Sequence, residues 1–206
     1  MFTVSDKPEI VFRWEYPHTL FTPLDPSRWG VRVVNNQCLN VTKRWMDRVF
    51  EEVYGYSLEV SSGWAVEKPN LTNGFKDVRL VDLNKQEKRE GYFYQKRLNK
   101  DGEVKEQRVV IMNYRPVIMN IKTKQVSETD LVGKITGYEI ADIKDDKLER
   151  FCRLIGLDYG ELDLIDGKII DVNPTPGDAL FVNMPEELAV KYLSIYIELF
   201  KMNYHA

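Results

Sequence analysis

Histidine and cysteine are scarce in this chain of 206 residues, and each shortage removes a class of chemistry. Only His18 and His205 are present, so an imidazole-based acid and base mechanism has little to work with. Cys38 and Cys152 lie far apart and no Cys/His spacing suggests zinc, which makes a reducing cytoplasm the expected setting. No apolar run approaches the roughly 20 residues that cross a bilayer, and Met1 to Glu9 is too polar for a secretion signal, so no membrane association is expected. A glycine-rich fingerprint after a strand is also missing, which argues against Walker-type and Rossmann sites. The formal net charge of -3, with basic residues scattered, argues against a nucleic-acid partner.

What is there is an ordinary globular composition. Hydrophobic residues make up 43% of the chain, enough for a core without disulfide staples. Residues 1–30 hold Pro8, Pro17, Pro23 and Pro26 among Trp14, Tyr16, Phe21 and Trp29, and read as an irregular arm packed by aromatics. Two further units are expected, 31–98 and 99–206. In the first, Trp45, Val49, Phe50 and Val53 recur at helical spacing and Gly55 ends the helix. The second opens on Asp101-Gly102, a hairpin signal between apolar runs. Ile143, Leu148, Phe151, Cys152 and Ile155 then predict a helix over 142–155 closed by Gly156. A last helix is expected to be capped by Asn183, with Pro185 in its first turn and Leu188, Tyr192, Ile195, Tyr196 and Leu199 on its buried face.

The chemistry concentrates in residues 161–177, which read as strand, tight turn, strand and a Pro/Gly stop. Side chains alternate along a strand, so Asp171 and Asn173 share one face while Ile170 and Val172 take the other. The turn decides whether Asp163 joins them. A two-residue loop at Asp166-Gly167 would set Leu162 opposite Asp171 and point Asp163 away. A three-residue loop, Ile165-Asp166-Gly167 with a left-handed Gly167, would pair Leu164 with Lys168 and bring Asp163, Asp171 and Asn173 together. The bulged turn is expected, because it supplies a hard cation such as Mg²⁺ with three oxygen ligands.

Gly160-Glu161-Leu162-Asp163 followed by Asp171-Val172-Asn173-Pro174-Thr175-Pro176-Gly177 resembles the C-terminal half of the ATP-grasp ligases, specifically the glutathione-synthetase-like or carboxylate-amine type, in a short form. The resemblance covers the chain from about Val31 to its end. It implies an α+β fold of two αβ lobes, with mostly antiparallel sheets enclosing a nucleotide cleft. It further implies that Lys43, at the start of the first helix, and Lys68, ending the strand Trp64 to Pro69, reach the nucleotide phosphates, with a mobile loop at Asn70 to Gly74 covering them. Tyr92 to Leu98 resembles the strand on which the adenine lies, with Gln95, Lys96 and Leu98 as nucleotide-binding positions. This chain has Gln95 and Lys96 where an acidic residue is common. Arg108 and Lys122, on the next two strands, would face the transferring phosphoryl group, and Lys124 could take the place of Lys122.

The implied activity is an ATP- and Mg-dependent ligase that joins a carboxylate to an amine or thiol through an acyl phosphate. Asp163, Asp171 and Asn173 would hold the metal, and the substrate would be a small-molecule or peptide carboxylate. Members of the family usually carry a substrate domain ahead of the nucleotide-binding half. Only about forty residues precede Lys43, fewer than a typical domain of at least ~50, so a protein partner that completes the substrate site is expected. The alternatives are a silent nucleotide-binding or interaction protein on the same fold, or a phosphotransferase.

Overall fold

A computed structural model describes residues 10–12, 32–38, 42–71, 77–98, 101–127, 131–174 and 184–204. Strands β1 (Ile10–Phe12) and β2 (Arg32–Val34) pair in parallel, so the expected irregular arm contains a strand. Helix α1 (Lys43–Tyr54) leads to β3 (Trp64–Pro69), β4 (Arg79–Asp82) and β5 (Tyr92–Lys96), a three-stranded antiparallel sheet ordered β4-β3-β5. Strands β6 (Gly102–Met112), β7 (Arg115–Val126) and β8 (Lys134–Ala141) follow, then helix α2 (Asp146–Ile155), β9 (Tyr159–Ile165), β10 (Lys168–Asn173) and helix α3 (Glu186–Tyr204). These five strands form an antiparallel sheet ordered β10-β9-β6-β7-β8. The expected α+β class with mostly antiparallel sheets is what the chain adopts.

One face of the five-stranded sheet makes the main core. Val109, Ile111, Leu162, Leu164, Ile169 and Val172 pack there against Met46, Val49, Phe50 and Val53 of α1 and Leu148, Phe151, Cys152 and Ile155 of α2. Each fully buried side chain of this size contributes about 1.5–3 kcal/mol. The helix stripes are those read from the sequence, with one exchange: Met46 is buried and Trp45 is 38% exposed. A 3.6-residue period allows either neighbour at the edge of the stripe, and the thinner side chain took the inside.

The opposite face is divided. At one end Val110, Met112 and Ile118 are covered by α3, whose Leu188, Tyr192, Ile195, Tyr196 and Leu199 face inward as expected. At the other end the face carries charged and amide side chains. The proposed cap Asn183 lies outside the described residues, as do His18, His205 and most of the 70–74 loop; Pro185 directly precedes α3, and its carbonyl accepts from Ala189 N at 2.9 Å.

Two boundaries differ from expectation. Helix α2 starts at Asp146, because the Asp145 carboxylate accepts from the Lys147 and Leu148 amides and so caps the helix later than the apolar pattern alone suggests. Asp101-Gly102 does not close a hairpin: β5 belongs to the small sheet and β6 to the large one, so this dipeptide carries the chain from one sheet to the other.

Gly156 ends α2 in the left-handed region at φ 74° and lies so close to the Gln37 carbonyl that a Cβ would collide with it. Gly156→Ala is therefore expected to cost about 2 kcal/mol or more, read as a lower urea midpoint at unchanged slope. An unchanged midpoint would show that the segment Asn35 to Cys38 shifts freely.

Candidate functional site

The polar end of the large sheet is organised around a β-bulge. Asp166 and Gly167 have φ of 51° and 69° and form a two-residue turn, with Lys168 opposite Ile165 and Ile169 opposite Leu164. The expected three-residue turn is therefore incorrect. The register nevertheless shifts between Ile169 and Asp171, so Ile170 is an extra residue and Asp171 comes to lie opposite Asp163. Without that bulge Asp171 would face the core, and Ile169 and Val172 could not both be buried against α1 and α2.

The bulge places Asp163, Asp171 and Asn173 on one face, as the metal reading requires. Asn173 Nδ2 donates to Asp163 Oδ2 at 3.3 Å. The alignment continues across the sheet: Asp171 is opposite Asp163, Asp163 opposite Arg108, and Arg108 opposite Asn120. Arg108 grips Asp163 with two hydrogen bonds, Nε at 2.7 Å and an Nη at 3.2 Å, and lies 3.7 Å from Glu161. Burial works against the charge of Arg108, but Asp163, Glu161 and Glu106 more than compensate and hold it protonated. Burial also raises the Asp163 carboxyl, against the pull of Arg108.

Lys43 and Lys68 reach the same place from the other side. Asn70, just beyond β3, accepts from Lys43 N at 2.8 Å through its carbonyl and from Arg44 N at 3.0 Å through its side chain. The start of α1 is thereby tied to the end of β3. The Lys43 ammonium contacts Asp171, and Lys68 Nζ donates to the carbonyl of the bulged Ile170 at 2.9 Å. Burial, only partly offset by Asp171, pushes Lys68 down to about 8. Asp171 moves the other way, because Lys43 and Lys68 outweigh burial and hold it below the usual carboxylate range.

Lys122 is buried beside Glu106 and has no ion-pair partner among the described residues; burial and then Arg108 lower its pKa. Lys124 is instead paired with Glu106 at 2.6 Å, which makes Lys122 the freer of the two candidates. The donor set suits a hard divalent cation: two carboxylates and an amide oxygen, facing cations that already balance them. Among the described residues no three acidic, histidine or cysteine side chains gather, so a site richer in ligands than this trio is not present there.

Next to Lys43 and Asp171 a small cavity of about 30 Å³, partly open to solvent, is walled by Met46, Phe50, Phe93, Gln95 and Phe151. Gln95 and Phe93 face it, with Val66 and Lys68 opposite them on β3. Lys96 lies on the other face of β5 and is exposed, so the structure does not bring it to the cavity. Leu98 packs against the main core beyond the strand. The outer edge of β5 is occupied: Val60 N donates to Tyr94 O at 2.9 Å and Lys96 N to Leu58 O at 2.7 Å. Asp47 fixes that segment by accepting from Leu58 N at 2.8 Å. A base at the mouth of this cavity would therefore meet the Gln95 side chain and not the Tyr94 and Lys96 peptide groups.

Several contributors escaped the sequence reading. Glu161 shares the face of Asp163 by period-2 spacing, a signal that was available; burial pushes its carboxyl up to about 7 although Arg108 opposes this. Phe50 and Phe151 gave only a core signal, and Met46 gave none. On the far face of β3, Glu67 is buried and receives Arg79, Arg89 and Tyr94 OH, the last at 2.8 Å. It anchors the strand that presents Lys68.

No protein-family model and no curated protein matches the sequence. Solved structures do resemble the fold. The ATP-grasp ligase PsnB complexed with a minimal precursor, Mg and ADP aligns at TM-score 0.51 and 17% identity over 82% of this chain and 63% of PsnB. The same ligase with a phosphomimetic variant of the precursor aligns at TM-score 0.53 and 17% identity, over 82% of this chain and 64% of PsnB. D-alanine–D-alanine ligase from Bacillus anthracis aligns at TM-score 0.50 and 12% identity, over 84% of this chain and 72% of that one. The chain thus has the ATP-grasp fold, and it spans about 63% of the length of PsnB. No helix among the described residues is long and apolar enough to cross a membrane.

Burial alone would raise the Glu67 carboxyl, but hydrogen bonds from Arg89, Arg79 and Tyr94 hold it at about 2. A depressed carboxylate stabilises the fold above its unfolded pKa of 4.5 and loses that contribution as pH falls through about 2. Glu67→Gln is expected to lower Tm at pH 7, with the gap to the parent narrowing between pH 4.5 and 2. A gap independent of pH would mean that the carboxylate charge contributes nothing.

Proposed function

We propose that this chain is an ATP- and Mg-dependent ligase that activates a carboxylate as its acyl phosphate and transfers the acyl group to an amine or thiol. The observation that supports this most is the aligned set Asp171, Asp163 and Arg108, with Lys43 and Lys68 converging on it beside an apolar cavity. The base would lie at the open mouth of the small cavity, beside Phe93 and Gln95 of β5. Lys43 and Lys68 hold the β- and γ-phosphate oxygens. Asp163, Asp171 and Asn173 would hold a magnesium ion, which when bound would supply positive charge to the phosphates.

In the first step a substrate carboxylate oxygen attacks the γ-phosphorus, the bond to the ADP oxygen breaks, and ADP leaves with the electron pair. In the second an amine nitrogen or thiol sulfur attacks the acyl carbon, phosphate leaves, and the nucleophile gives up a proton. Arg108 and Lys122 present fixed positive charge to the transferring phosphoryl group and the acyl phosphate. Fixed donors of this kind contribute about 3 kcal/mol each to transition-state stabilisation. Their charge is oriented before substrate arrives, so little reorganisation is needed during the reaction. Lys122 is suited to this role because no carboxylate pairs with it among the described residues. Cys38 and Cys152 are both buried, which fits the reducing cytoplasm we assign to the protein. The carboxylate and nucleophile substrates, and any partner that completes the acceptor side, belong to the same proposal.

Melting with and without ATP and Mg²⁺ tests the nucleotide site. At about 100 times Kd a ligand that binds only the folded state stabilises it by about 2.7 kcal/mol, and no shift at millimolar ATP would overturn the reading. Lys68→Met is expected to weaken ATP by about tenfold or more, the loss of one charge-assisted phosphate contact. Asp171→Asn is expected to abolish Mg-dependent ADP release with amines and carboxylates while the protein stays folded; activity retained in that variant would place the metal elsewhere.

A further inference from the structure

Asn120 is the member of the aligned polar set that the nucleotide reading leaves without a task. Its side chain is fully buried, and neither the amide nitrogen nor the carbonyl oxygen has a hydrogen-bond partner among the described residues. A buried carboxamide without partners is costly, because both groups leave water and gain nothing in return. Local packing does not call for an amide here. Across β8 the neighbour is Ile140, and two residues back on the same face is Ile118, so an aliphatic side chain would suit both. The remaining neighbours are of another kind: Arg108 lies directly across on β6, and Lys122 two residues on along β7. The amide therefore stands at the border between the apolar patch under α3 and the two cations assigned to the transferring phosphoryl group and the acyl phosphate.

We propose that Asn120 is a substrate-specificity residue that reads a secondary amide adjoining the reacting carboxylate. This rests on the ligase reading above. The carboxamide offers one donor face and one acceptor face side by side, and a peptide group offers the complementary pair, C=O and N–H. Arg108 and Lys122 take the carboxylate, and Asn120 takes the amide next to it. The preferred substrate class is then an N-acylated amino acid or a peptide carboxylate, and a plain dicarboxylic acid of the same length and charge is rejected because it leaves the buried amide unpaired. Tyr192 of α3 belongs to the same buried cluster as Ile118, the neighbour of Asn120 on its face.

The test compares the protein with Asn120→Leu and the smaller Asn120→Val. Without ligand, the Leu variant is expected to melt about 2–4 °C above the parent, since the unsatisfied amide is gone. With ATP and Mg²⁺ present, N-acetylaspartate and N-acetylglutamate are expected to stabilise the parent at concentrations about tenfold or more below those at which succinate and glutarate do. Both variants should keep the ATP shift and lose this preference. The proposal is overturned if the parent treats the two kinds of acid alike or responds to neither. It is equally overturned if the preference survives in the variants, or if both variants melt below the parent or fail to fold, because the amide would then be serving the fold. An absent ATP shift in the parent removes the nucleotide reading and this proposal together; an ATP shift without amide preference removes this proposal alone.

Discussion

A single extra residue in β10 sets the geometry on which the site depends. With Ile170 bulged out, Ile169 and Val172 both stay in the core while Asp171 and Asn173 turn to the opposite face, beside Asp163. The same bulge releases the Ile170 carbonyl from the ladder, and Lys68 takes it. One irregularity thus aligns the carboxylates and docks the small sheet's lysine against them.

Buried charge is the second constraint. Asp163, Asp171, Glu161 and Glu106 stand against Arg108, Lys43, Lys68, Lys122 and Lys124 on one sheet face and its facing strand. Each ion would be expensive to bury alone, and pairing makes the arrangement tolerable without making it strongly stabilising. The pairs are not equivalent. Arg108 and Asp163 form a two-pronged planar contact, fixed on adjacent central strands. Lys43 and Asp171 join a helix start to an edge strand, and Asp171 keeps 31% of its side chain exposed. On the proposed function, the second pair is the one that phosphate and metal would divide, each charge gaining a new partner as it loses the old one. On the reverse of β3, Glu67 is held by Arg79, Arg89 and Tyr94 and anchors the lysine-bearing strand.

Much of this was legible in the chain because it rests on local rules. Gly55 and Gly156 mark helix ends, the stripes of α1, α2 and α3 follow the 3.6-residue period, and Asp171 and Asn173 share a face through the strand's period of two. The errors arose where tertiary packing chose between local alternatives. A two-residue turn at Asp166-Gly167 and a bulge at Ile170 put Asp163 and Asp171 on one face, as the three-residue turn would, but directly opposite each other, and burial of Ile169 favours the bulge. Lys96 points away from the cavity because the face of β5 that meets it is set by pairing with β3. Asn120 was invisible, since an asparagine in an apolar strand signals nothing until its neighbours in the sheet are known.

On the proposed function, Asp163, Asp171 and Asn173 would jointly hold a divalent ion at the phosphates of a nucleotide. Crystals of the protein grown with Mn²⁺ and a non-hydrolysable ATP analogue test it directly, because manganese is located by its anomalous scattering. The claim predicts one strong peak within about 2.0–2.4 Å of oxygens from those three side chains, with Lys43 moved from Asp171 onto phosphate. A manganese site elsewhere, with Lys43 still on Asp171 and the nucleotide away from the cavity of Phe93 and Gln95, would contradict it.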